Sequence, residues 1–78
     1  MTRSIIPHAA MEKLLKKAGA ERVSEDAKAT LSEILEELGL QLGQRALKLA
    51  EHSGRKTVRN VDLKLAQREG QPNTQPQA

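Results

Sequence analysis

No cysteine and no aromatic residue occurs among the 78 residues, and there are only two histidines. Each absence removes a class of protein. Without thiols there is no disulfide framework, which fits an intracellular chain. Two histidines without cysteine leave no zinc-type ligand set, so neither a metal nor a cofactor is expected. Lacking Phe, Tyr and Trp, the chain has no platform for stacking single-stranded bases and none of the side chains that bury most area in a small core. Nowhere do eighteen apolar residues run together, and Met1–Pro7 holds no apolar stretch of the kind that opens a secretion signal. Neither a membrane partner nor export is expected. No Gly-rich phosphate loop, nucleophile–base pair or room for a pocket is evident, so an enzyme with a small-molecule substrate is the poorest reading. There is no repeat at solenoid periods.

What is present is one long amphipathic run. Between Ser24 and His52 apolar residues recur at Leu31, Ile34, Leu35, Leu38, Leu42, Ala46, Leu49 and Ala50, in steps of three and four that keep to one helix face. Ser24 suits an N-cap, Glu25 and Asp26 put negative charge in the first turn, and Ser53-Gly54 offers a stop. Such a helix is about 42 Å long, against a radius of gyration of about 11 Å for a compact domain of this length. A chain this short cannot cover it. A second copy crossing near the middle would complete the stripe, which makes Leu31, Leu35, Leu38, Gly39 and Leu42 the expected dimer core. Gly39 and Gly43 each cost about 1 kcal/mol in a helix interior. Close backbone approach at the crossing would explain them, and tolerance of an exposed glycine is the alternative.

Before the long helix, Met1–Ile6 reads as a flexible N-terminus in which Arg3 is an extra phosphate contact. Pro7 suits the first turn of a helix whose apolar face is Met11, Leu14, Leu15 and Ala18, with Gly19 as its C′ residue. Ala20–Val23 is a short connection. After the long helix, the Ser53–Arg59 connection has three basic residues in five positions and can pair as a minimal strand with the Arg22 loop. Asn60 is expected to cap a third helix that carries Val61, Leu63, Leu65 and Ala66 and ends at Gly70. The folded domain is thus expected over 7–70. The remaining QPNTQPQA, residues 71–78, is uncharged with two prolines and is expected to be disordered.

Charge is laid out in three blocks. Residues 1–23 carry five Lys/Arg against two Glu (+3), residues 24–51 three against six Asp/Glu (−3), and residues 52–78 five against two (+3). The long helix is acidic and both flanks are basic. A dimer doubles the net charge and repeats the basic segments by symmetry, which points to a polyanion as partner.

Short helix, loop, long helix, loop, short helix is also the layout of a known family. Ala18-Gly-Ala-Glu-Arg-Val-Ser-Glu-Asp-Ala27 and Ala50-Glu-His-Ser-Gly-Arg-Lys-Thr-Val58, with Ile34-Leu-Glu-Glu-Leu-Gly39 between them, closely resemble the archaeal histones from about Pro7 to Arg68. The resemblance implies an all-α histone fold, an intertwined antiparallel handshake dimer, and double-stranded DNA bound around dimers that assemble into tetramers or larger arrays. Location on the chromosome, in the cytoplasmic nucleoid, would follow. A heterodimer with another histone-fold chain stays open.

By the same resemblance, Arg22 enters the minor groove and Thr57 positions it, chemistry that reads groove width and not base pattern. In the handshake the first loop of one chain lies beside the second loop of its partner, so Arg22 would neighbour the partner's Lys56 and Thr57. Lys56 and Arg59 are phosphate contacts. Lys13, standing where the family has an arginine, and Lys16 are further contacts, as point charges without the flat guanidinium fork. Arg55 is assigned instead to a structural clamp with Asp62. Leu49, His52, Asp62 and Leu65 would form the contact between dimers. For His52 a helix-dipole partner or a metal ligand is the reading without the resemblance.

Three departures bear on affinity: Leu40 stands where relatives carry a polar residue, Arg45 replaces a commonly acidic one, and Gln67-Arg68-Glu69 is a less basic finish than usual. Leu40 and the weak third-helix finish favour the alternative function, a histone-fold or helical protein-interaction module with weak or no DNA binding. No helix presents a clustered Arg/Asn/Gln face for the major groove, so the first reading is a sequence-tolerant architectural protein that wraps or bends duplex DNA.

Overall fold

The computed structural model describes residues 4–70, and those residues form three α-helices: α1 (His8–Lys17), α2 (Glu25–His52) and α3 (Asn60–Gly70). The boundaries follow from local chemistry. Pro7 stands just before α1 in an extended conformation, where its missing N–H is no loss. Ser24 caps α2: its Oγ accepts the Ala27 N–H at 3.0 Å, and its carbonyl accepts the Lys28 N–H at 3.2 Å.

Both α1 and α2 end in the same glycine device. Gly19 and Gly54 take φ of +116° and +78°, a left-handed conformation that costs other residues strain. At α1 the Gly19 N–H bonds the Lys16 carbonyl and the Ala20 N–H the Leu15 carbonyl; at α2 the Gly54 N–H bonds Glu51 and the Arg55 N–H bonds Ala50. These are the paired bonds of a Schellman stop.

One sequence expectation is corrected. Asn60 does not cap α3 but is its first helical residue. The carbonyl of Arg59 accepts the Leu63 N–H, and the Asp62 carboxylate reaches back to the Arg59 N–H at 2.8 Å, so an acid in the first turn does the capping. Among the described residues neither connection is a strand within the chain.

The start of the described chain also differs from expectation. Ser4–Ile6 are tied to α2: the Ser4 Oγ donates to the Ser32 carbonyl at 3.1 Å, the Ser32 Oγ donates to the Ile6 carbonyl at 2.8 Å, and the Ile5 N–H donates to Glu36 Oε1 at 3.0 Å. Ser32 is fully buried, and these bonds account for its hydroxyl and its spare carbonyl lone pair. The flexibility expected of Met1–Arg3 and of the tail 71–78 lies outside the described residues.

The chain divides between Leu38 and Gly39 into two compact units. In the first, the buried side chains are Met11 and Ser32; in the second, Ala46, Ala50, Asp62 and Ala66. None of these is a large aliphatic residue. Leu31, Leu35, Leu42 and Leu49 are half-buried, while Leu38 is 54% exposed, and Leu14, Ile34, Val61, Leu63 and Leu65 are exposed as well. A Cβ placed on Gly39 or Gly43 would meet nothing within 4 Å, so neither glycine answers to a close approach inside its own chain.

Candidate nucleic-acid interface

In the first unit the expected contact residues are Arg22, Lys13 and Lys16. Arg22 stands three residues after the Gly19 stop and two before the Ser24 cap, on a connection whose ends are both fixed by backbone hydrogen bonds. It is exposed, and among the described residues no acid engages it. Lys13 is exposed on α1. Lys16 is shared: its Nζ lies 3.4 Å from Glu12.

Glu12 belongs to a small ion-pair network that the sequence reading did not include. Lys28 of α2, with a side chain only 13% exposed, reaches Glu12 at 3.2 Å and Glu25 at 2.9 Å. Hydrogen bonding from Lys28 and then from Lys16 holds the Glu12 carboxyl below its ordinary range, and the bonds to Glu25 and Glu12 raise the Lys28 ammonium. The Glu25–Lys28 half was readable from its i,i+3 spacing. Glu12 and Lys28 lie sixteen residues apart on different helices, with no periodic signal to link them.

In the second unit the expected contact residues Lys56, Thr57 and Arg59 sit on an arch with both feet on one carboxylate. The Arg55 guanidinium donates from Nη1 and Nη2 to Asp62 Oδ2 and Oδ1, each at 2.9 Å, and Nη1 also donates to the Thr57 carbonyl at 3.0 Å. The Arg59 N–H meets the same Asp62 from the far side of the arch. Asp62 is buried, and the guanidinium first, then the Arg59 N–H, hold its carboxyl down at about 2. Lys56, Thr57 and Arg59 are exposed, with their backbone direction set from both sides.

Arg55 and Asp62 therefore spend their charge on each other. Of the four residues expected between dimers, Leu65 is 41% exposed, His52 is exposed and Leu49 half-buried, whereas the Asp62 carboxylate is taken up inside the unit. Arg22 and the Lys56–Thr57 arch belong to different units, and each is built by its own helix ends. Among the described residues no group of three His, Cys, Asp or Glu side chains could hold a metal ion, and no helix is long and apolar enough to cross a membrane.

Comparison with known proteins agrees with this layout. Residues 5–66 match the family described as histone-like transcription factor (CBF/NF-Y) and archaeal histone. The chain is 51% identical over 61 residues to one of the subunits of the archaeal histone HAN1 of Thermococcus zilligii, covering 78% of this chain and 91% of that one. It is 46% identical over 63 residues to a probable archaeal histone 3 of Methanocaldococcus jannaschii, covering 81% and 94% respectively.

Proposed function

The chain belongs to the family of histone-like transcription factors and archaeal histones, and from that premise we propose that it is a dimeric architectural protein that binds duplex DNA along its backbone and bends or wraps it. One observation carries the reading: the large aliphatic side chains of α2 and α3 stay half-buried or exposed, while the described residues enclose three alanines, Ser32, Asp62 and Met11. A chain of 78 residues does not leave that surface in water if it can pair. The acidic α2 supplies the pairing surface, and the Arg22 loop and the basic Ser53–Arg59 connection remain outside it for DNA.

Arg22 and the Lys56–Thr57 arch are the contact groups. Arg22 is a long cation without an acid partner among the described residues, suited to a narrow minor groove. The arch offers Lys56 and Arg59 to phosphates and the Thr57 hydroxyl beside them. Nothing in the set reads bases, so binding tolerates sequence, and the protein works on the chromosome in the nucleoid.

Titrating random-sequence duplex at 50 and 200 mM salt tests this. If a dimer neutralises about six to ten phosphates, affinity should fall by about 10³ to 10⁵ across that range. Arg22→Ala should weaken binding at both salts. A flat salt response, or an Arg22→Ala variant that binds like the parent, would refute the DNA reading.

A second reading of the partner has one observation behind it. A relative at 51% identity carries the name of a subunit within its histone, so pairing with a different histone-fold chain is the alternative to self-pairing. The mass of the purified chain in solution separates the two: a stable homodimer supports self-pairing, and a chain that dimerises only on mixing with a second histone-fold protein supports the other.

A further inference from the structure

We propose that Glu12, an acid, is a positioning residue for DNA binding: through Lys28 it ties α1 to the first turn of α2 on either side of the loop that carries Arg22. This deepens the DNA-binding reading and rests on it. The inference runs against the usual electrostatic expectation, in which every carboxylate on a DNA-binding protein weakens binding to a polyanion.

The geometry makes Glu12 an exception. Residues 18–24 form the loop, and each end of it is fastened to its own helix by backbone bonds: the Gly19 stop to α1 and the Ser24 cap to α2. Those bonds fix how the loop leaves each helix, but not where one helix end lies relative to the other. Apolar packing does part of that job and does it thinly, since Met11 is the one α1 side chain that is buried while Leu14 is 46% exposed. The bonds of Ser4–Ile6 to Ser32 and Glu36 hold the start of α1 to α2, and Lys28 supplies the tie nearest the loop. It is drawn down to 13% exposure, 3.2 Å from Glu12 of α1 and 2.9 Å from Glu25 of its own helix. Glu25 holds the ammonium in place, and Glu12 uses it to hold α1. An arginine presented from a loop with fixed ends has less freedom to lose when it enters a groove.

Two substitutions separate this role from simple charge. Glu12→Gln and Glu21→Gln each add one positive charge per chain, but Glu21 lies exposed beside Arg22 outside the network. By charge alone both variants bind duplex as tightly as the parent or more so. With Glu12 as a positioning residue, Glu21→Gln behaves that way and Glu12→Gln does the opposite. A partly exposed ion pair is worth about two- to fivefold, so a dimer that contacts DNA through both loops should lose about four- to twenty-fivefold in affinity. Its salt slope should be unchanged, because no phosphate contact is removed. Lys28→Arg, which keeps the pair, should bind like the parent.

The experiment is fluorescence anisotropy with the full chain and a random-sequence duplex, alongside hydrogen exchange on the DNA-free protein. In Glu12→Gln the hydrogen-bonded loop amides of Gly19 and Ala20 should exchange faster while that of Leu63 in α3 stays as in the parent, a readout that a uniformly destabilised fold would not give. Glu12→Gln binding as tightly as Glu21→Gln, or loop amides exchanging at the parent rate, overturns the inference and leaves DNA binding standing. A parent chain that does not bind random duplex overturns both.

Discussion

Replacing Leu38 with alanine should weaken self-association by about ten- to a hundred-and-fortyfold. Burying a leucine side chain completely is worth about 1.5–3 kcal/mol. Leu38 is still 54% exposed within one chain, so about half of that, roughly 0.75–1.5 kcal/mol, is released only when a partner covers it. In a symmetric dimer the substitution occurs twice, which brings the loss to about 1.5–3 kcal/mol, and each 1.4 kcal/mol is about tenfold in the dissociation constant. A cavity left under the partner's side chains would add to it. Sedimentation equilibrium over a dilution series reads the constant directly, and the dependence of the melting midpoint on protein concentration reads it a second way. Leu40→Ala is the control: Leu40 is 58% exposed but stands two residues on, about 200° around the helix and off the Leu31–Leu35–Leu38–Leu42 stripe. It should associate like the parent. Leu38→Ala dimerising like the parent, or Leu40→Ala failing equally, would refute the assignment of that stripe to the dimer.

Ser24→Ala removes the acceptor for the Ala27 N–H and should cost about 1 kcal/mol, seen as a lower melting midpoint at fixed concentration. Gly54→Ala meets no neighbouring atom, so its cost is the left-handed backbone alone, about 1–2 kcal/mol, and an unchanged midpoint would argue against the stop. Asp62 carries an acid-sensitive contribution. Its carboxyl sits at about 2 when folded against an ordinary 3.8, so the stabilisation is whole above about pH 4 and fades as pH falls toward 2. Asp62→Asn should melt below the parent at pH 7, with the gap closing across that window. It should also weaken duplex binding by loosening the arch, with the salt slope kept.

The features that could be read in the sequence were those written in neighbouring residues. Ser24, Gly19 and Gly54 declare the helix ends because caps and left-handed stops depend on a few positions in a row. The length of α2 and its apolar spacing announced that the chain would not close on itself. Contacts between distant segments left no such trace. Ser32 looks like an ordinary polar residue in a helix, and only the Ile6 carbonyl, twenty-six residues away, makes it a buried anchor. Glu12 and Lys28 meet across two helices for the same reason. Asn60 misled because its residue type suits a cap, whereas Asp62, already committed to Arg55, had the better reach to the Arg59 N–H. The joint use of Arg55 and Asp62 came from resemblance to relatives; the spacing alone did not require it.

The thin interior of each unit has a kinetic consequence. Leucines that stay wet until a mate arrives make folding a second-order event, so its rate follows how often two copies collide. At low abundance an unpaired chain stays open to proteolysis for longer; at high abundance it matures sooner. The amount made then sets the speed of maturation as well as the quantity of product.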